Sequence, residues 1–278
     1  MQRPVTTKQY DECVAMTDKA SNSVVSDNSE GGDVEVKFWS SRNIGVLALS
    51  GVIILTLIIG AFAFQEMRFK HTAANALIRP SGLPTSISTS LANLMALSPI
   101  PNTAAHDFTL TDQRGVTTSL RSFRGRAVVL DFMDPHCVDI CPIVSQELLD
   151  AHRNLGASAN RVVFLAVNVN QFATSVGAVN AFSREHQLTS LPSWHFFTGS
   201  AAMLRSVWRA YGVAVNAPSP QADVVHSSLI FFIDAKGRER YLANPTDLRT
   251  ATGKAYLPAD SLASWGTGIA LVLKSLLS

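Results

Sequence analysis

Apolar and polar positions divide the chain into four regions. Residues 1–43 show no sustained apolar period and are rich in Ser, Thr, Asn, Asp and Glu. Such a composition buries too little surface to offset the entropy of ordering, so a disordered polar tail is expected. Residues 44–64 then run for 21 positions without a charge, long enough to cross a bilayer as a single helix. Residues 65–104 place Pro80, Pro84, Pro99 and Pro101 among Ser, Thr, Ala and Asn, which is the pattern of a linker. From 105 to 278, apolar runs alternate with helical patterns over a length sufficient for one buried core.

Within that last region the periods predict a definite order of elements. Residues 108–111 and 116–118 alternate around the turn Asp112-Gln113-Arg114-Gly115, as a hairpin does. Residues 127–132 and 162–167 are short apolar runs, as expected for strands covered on both faces. Helical spacing covers 142–155, where Val144, Leu148 and Leu149 share a side and Pro142 suits a first turn. Further helices are expected at 176–186 and 200–211, with a short strand at 194–197 between them. A second hairpin joins 229–234 to 238–242 through Gly237, and a last amphipathic helix covers 260–277, capped by Asp260 or Ser261. This is an α/β plan with a mixed central sheet flanked by helices, and a thioredoxin-like fold satisfies the order.

Residues 44–64 are expected to be a retained transmembrane anchor. Ala61-Phe62-Ala63 resembles a signal-peptide cleavage site, but a long polar region precedes the segment and its apolar length exceeds a signal-peptide core. Basic residues flank both ends, Lys37 and Arg42 before it and Arg68, Lys70 and Arg79 after it, and leave orientation open. Cysteine usage orients it instead. Cys13 lies in the tail, and the pair Cys137 and Cys141 lies beyond the apolar segment, so a cytoplasmic tail and an extracytoplasmic domain put the pair where disulfides persist. The formal net charge of +2 is too mild to argue for nucleic acid.

The chemistry concentrates in Asp134-Pro135-His136-Cys137-Val138-Asp139-Ile140-Cys141-Pro142, between the 127–132 run and the helix that follows. A cysteine at a helix start is favoured as thiolate, which is both the nucleophile of disulfide exchange and the form that binds metal. The spacing alone allows a disulfide or a two-sulfur metal site. Two sulfurs with one imidazole suit copper, whereas a structural zinc would need a fourth ligand and no second cysteine pair supplies it. Seven histidines compete for the third position; His226 sits just before the run 229–233, and His136 adjoins Cys137.

These residues resemble the Sco/SenC family of membrane-anchored copper proteins. The resemblance rests on His136-Cys137-Val138-Asp139-Ile140-Cys141-Pro142, on Ser193-Trp194-His195-Phe196-Phe197-Thr198-Gly199 leading to Tyr211-Gly212-Val213, and on His226-Ser227-Ser228 ahead of Asp234-Ala235-Lys236-Gly237 and Tyr241. It implies a thioredoxin-like domain over 105–278, with copper bound by Cys137, Cys141 and His226. It also implies a metallochaperone or thiol reductase acting on the dinuclear copper centre of cytochrome c oxidase, with the copper-bearing subunit as partner and membrane lipid contacted through 44–64. His226 falls near where thioredoxins carry a cis-proline. The chain departs from the family pattern at Val225, where an Asp is common, at Phe132-Met133-Asp134-Pro135, and at residues 168–175. The competing expectation is a TlpA-type thiol–disulfide oxidoreductase or a peroxiredoxin-like peroxidase, in which Cys137 attacks, Cys141 resolves and His226 is dispensable.

Overall fold

Seven consecutive buried residues form strand β4 (Ala127–Met133), and seven more form β5 (Val162–Asn168) beside it. They pair in parallel, and β5 pairs in parallel with β6 (Trp194–Phe197). On the other side β4 pairs antiparallel with β9 (Ile230–Ile233), β9 with β10 (Glu239–Ala243), and β10 with the two-residue β1 (Ser98–Pro99). The sheet order is therefore β1-β10-β9-β4-β5-β6. These features belong to a computed structural model that describes residues 58–61 and 79–277.

Alternation along the strands divides the core into two layers. Val129 and Met133 face one side with Phe164 and Ala166, under helices α2 (Ile140–Leu155), α3 (Val176–Glu185) and α5 (Ala259–Ser275). Val128, Leu130 and Phe132 face the other with Leu165 and Val167, covered by α4 (Ala201–Ala210) and the hairpin of β2 (Thr109–Thr111) and β3 (Thr117–Ser119). Two further pairs, β7 (Val215–Asn216) with β8 (Val225–His226) and β11 (Leu248–Arg249) with β12 (Ala255–Tyr256), stand outside the main sheet. A mixed sheet with helices on both faces is the α/β plan expected from the periods.

The chain divides into two compact units, Met1–Phe64 and Gln65–Ser278. Of the expected anchor only 58–61 are described, and they are helical; the remainder, the polar tail and residues 65–78 of the expected linker lie outside the described residues. Among the described residues no helix is long and apolar enough to cross a membrane.

Residues 79–104 differ from the expected linker. The Arg79 guanidinium donates to the carbonyls of Leu83 (2.8 Å) and Ile87 (3.1 Å). Ser88 Oγ accepts from Leu91 N–H (3.2 Å), capping α1 (Thr89–Leu94). Leu83, Ile87, Ala92, Met95 and Leu97 are buried in the layer shared with α2 and α5. The prolines and serines hid the fact that these apolar side chains join the core. Gly268 of α5 makes the approach possible, because a Cβ there would run into Met95 and Leu91. At the other end, α5 begins at Ala259 behind Pro258, so neither Asp260 nor Ser261 is its N-cap. Asp260 lies instead in the first turn, where its charge favours the positive end of the helix dipole.

Candidate thiol and metal-binding site

Strand β4 ends at Met133, and the loop from Asp134 to Asp139 carries the chain to α2. That helix starts at Ile140, two residues ahead of the expected position, so Cys141 lies in its first turn while Cys137 precedes it. Asp134 builds the loop from within. Its carbonyl accepts from Cys137 N–H (3.1 Å), and its Oδ1 accepts from His136 N–H (2.9 Å) and from Asn170 Nδ2 (3.0 Å). Asn170 in turn holds the loop after β5, accepting from Phe172 N–H (2.9 Å). Two loops at the C-terminal ends of adjacent parallel strands are thereby tied together, at the end of the sheet where sites gather in such folds.

The two cysteines are free thiols, Cys137 half-buried and Cys141 buried. Cys141 N–H donates to Cys137 Sγ at 3.4 Å. The Cys137 thiol is drawn down from its ordinary 9.0 to about 7, first by a hydrogen bond from the Cys141 thiol and then by the amides of Cys141 and Asp139, against the opposing effects of burial and Asp134. Cys141 moves the other way, because it is the donor of that bond and is buried. One sulfur is thus poised as a thiolate and the other holds the proton, the asymmetry that a nucleophile and its resolving partner need.

His226 lies on β8, opposite Val215 on β7. Its Nδ1 is 3.0 Å from the Ser227 carbonyl, which can only accept; this assigns the ring proton to Nδ1 and leaves the Nε2 lone pair free. Burial keeps the imidazole neutral by lowering its pKa, opposed by the Ser227 carbonyl and the Asp134 carboxylate. A neutral imidazole whose second nitrogen is fixed by a backbone carbonyl is the usual state of a metal-ligating histidine. Asp134 acts electrostatically on both His226 and Cys137, so the imidazole and the dithiol share one neighbourhood. The structure brings Cys137 and Cys141 into contact. It does not close His226 onto them, and among the described residues no three His, Cys, Asp or Glu side chains converge to hold a metal ion. No cis peptide occurs among the described residues, in keeping with the proline-free Val225-His226-Ser227.

Several neighbours of the site were not singled out from sequence. Asp131 is buried in β4, on the face it shares with Val129 and Met133; it accepts a hydrogen bond from the adjacent Phe132 N–H (2.8 Å), and burial lifts its pKa to about 8. Glu147 of α2 is fully buried with neither oxygen hydrogen-bonded, and burial together with Asp131 lifts it to about 9. A carboxylate inside the apolar run 127–132 was a legible signal for Asp131. Arg249 reaches Asp139 at 3.1 Å from more than a hundred positions away, and no local pattern announced it.

Comparison with known proteins agrees with this architecture. The sequence profile of SCO1/SenC matches residues 98–254. The chain belongs to the SCO1/SenC family. Its relatives include a SCO1 protein homolog of Bacillus subtilis, 24% identical over 139 residues, which are 49% of this chain and 72% of that protein. The mitochondrial SCO2 homolog of Bos taurus is 31% identical over 137 residues, 47% of this chain and 50% of the relative, so the match spans only half of the bovine protein. Among solved structures, a SCO1/SenC family lipoprotein from Bacillus anthracis aligns with a TM-score of 0.52 at 19% identity, covering 65% of this chain and 98% of that one. At that identity the likeness bears on the fold, which is thioredoxin-like.

Proposed function

We propose that this SCO1/SenC protein is a membrane-anchored copper carrier with thiol–disulfide chemistry, serving the dinuclear copper centre of cytochrome c oxidase during assembly. Copper is cargo: Cu(I) is taken by Cys137 Sγ, Cys141 Sγ and His226 Nε2. The observation that carries this reading is the donor set itself. A thiolate-prone sulfur lies against a second thiol, and nearby stands a neutral imidazole with its free nitrogen fixed by tautomer. Two soft sulfurs and one imidazole fit Cu(I). Metal binding releases the Cys141 proton, and the β7–β8 arm has to bring His226 to the sulfurs. Residues 44–64 supply the anchor, with the tail on the cytoplasmic side and the large domain outside.

A second reading is favoured by the split between the two thiols. A nucleophilic Cys137 backed by a buried Cys141 can reduce a client disulfide without any metal. Titration of the reduced, metal-free protein with Cu(I) against a competing chelator separates the two. One-to-one binding that is lost in both Cys137→Ser and His226→Ala supports the three-ligand site. Copper binding unchanged in His226→Ala refutes it, and dithiol turnover that survives the same change with only weak copper binding establishes the reductase instead.

A further inference from the structure

Asp139 lies between the two cysteines and is the N-cap residue of α2, a position where Asp normally accepts a hydrogen bond from the helix's own amides. Here its side chain makes no capping bond. Its Oδ1 instead meets Arg249 Nη1 at 3.1 Å. Arg249 is presented by the β11–β12 hairpin, and its head is held on three sides: Nε lies 2.8 Å from Asp247 Oδ2, and Nη1 donates to the Gly253 carbonyl (3.2 Å) as well as meeting Asp139.

The hairpin is itself braced. Thr250 N–H bonds the Lys254 carbonyl (3.0 Å) and Gly253 N–H bonds the Thr250 carbonyl (2.9 Å), with Gly253 at a φ of +82° that only glycine adopts without strain. Its base is fixed by Asn244 N–H on the Met95 carbonyl (3.0 Å) at one end, and by Leu257, packed against the core ahead of α5, at the other. The guanidinium is therefore a fixed arm reaching the cysteine loop. The family match ends at residue 254, inside this hairpin.

We propose that Arg249 is a positioning residue for the dithiol: acting through Asp139, it holds the 137–141 loop in the conformation that aims the Cys141 amide at Cys137 Sγ. The Cys141 amide is 3.4 Å from that sulfur. With its carboxylate turned to Arg249, Asp139 does not cap α2, and the Cys141 N–H, the amide such a cap would take, stays on the sulfur. Without Arg249 the carboxylate is released to compete for the first-turn amides, Cys141 N–H among them, and Cys137 Sγ loses that donor. The inference deepens the proposed function only in its copper arm; the thiol arm stands by itself.

The test is a double-mutant cycle on the full chain, reduced and metal-free in a nonionic detergent. Cys137 alkylation by iodoacetamide is followed by peptide mass spectrometry, with Cu(I) affinity measured in parallel. Arg249→Ala should slow alkylation about two- to fivefold, the range expected for releasing an exposed ion pair. Melting should barely move, since both side chains are half exposed. In an Asp139→Asn background, Arg249→Ala should have no further effect, because the residue it acts through is already uncoupled. Unchanged or faster alkylation in Arg249→Ala overturns the inference. So does an equal slowing in the Asp139→Asn background, which would mean that the guanidinium acts on Cys137 by charge alone. Slowed alkylation in a protein that fails to bind Cu(I) even as wild type sinks the copper reading and leaves the positioning role supported.

Discussion

Replacing Glu147 by Gln should change how the stability of the protein depends on pH. Glu147 is fully buried, has no hydrogen-bond partner on either oxygen, and is lifted from its ordinary 4.5 to about 9, first by burial and then by Asp131. A folded-state pKa above the unfolded value means that the native protein holds a proton the unfolded chain gives up. The contribution is fully present below about 4.5 and is lost progressively as pH rises toward 9. At about 1.4 kcal/mol per pH unit, the unfolded state gains about 3 kcal/mol relative to the native by pH 7. Gln keeps the shape and removes the titration; leaving a buried amide unpaired costs about 1–3 kcal/mol at every pH. The measurement is urea or thermal unfolding of both proteins at about pH 5.5 and 7.5. His186, His195 and His226 carry lowered pKa values and oppose the trend, but they occur in both proteins and cancel in the difference. Between the two pH values the variant should gain about 2–3 kcal/mol on the wild type, or about 5–10 °C in melting temperature for a fold of this size. Parallel pH profiles would show that Glu147 is ionised in the native state and that the burial argument is wrong.

Other outcomes follow from the same geometry. Alkylation of Cys137 should rise with pH along a curve centred near 7, and in Cys141→Ala the midpoint should move back toward 9.0, because the Cys141 thiol is the strongest influence on it; an unmoved midpoint in stopped-flow thiol titration would remove that thiol from the account. Gly266→Ala should destabilise the fold by about 1–3 kcal/mol in urea unfolding, since the added methyl meets Asp150 and the α2 backbone where α5 packs on α2. Trp208→Phe removes the indole N–H that donates to the Asn168 carbonyl at 2.9 Å. A buried carbonyl left without its partner costs about 1–3 kcal/mol, and hydrogen exchange should increase in the 169–174 loop that Asn168 also ties through Ala173.

Much of the fold was legible because burial leaves a periodic trace. The runs at 127–132 and 162–167 read as strands covered on both faces, and both are wholly buried. Gly237 announced the turn between β9 and β10 and takes a φ of +75° there. Boundaries were less legible. Pro80 and Pro84 argued for a linker, yet Leu83, Ile87 and Met95 are buried in the core layer that includes α5, and Met95 meets α5 at Gly268. The start of α5 was misplaced because Asp260 is a good cap by composition, whereas Pro258 ends the preceding segment two residues earlier.

By itself the sequence determined that a cysteine pair lies where a buried run meets a helix, and that a histidine precedes a later strand. These are local facts, carried by spacing and by residue type. Tertiary structure decided what those residues are to one another. A thiol–thiol hydrogen bond separates the roles of Cys137 and Cys141, and a backbone carbonyl selects the tautomer of His226. Two buried acids lie on the inner side, and an arginine from a distant hairpin takes the carboxylate of Asp139. Proton affinity depends on distance and on exclusion of water, and both are created only when segments far apart in the chain pack together.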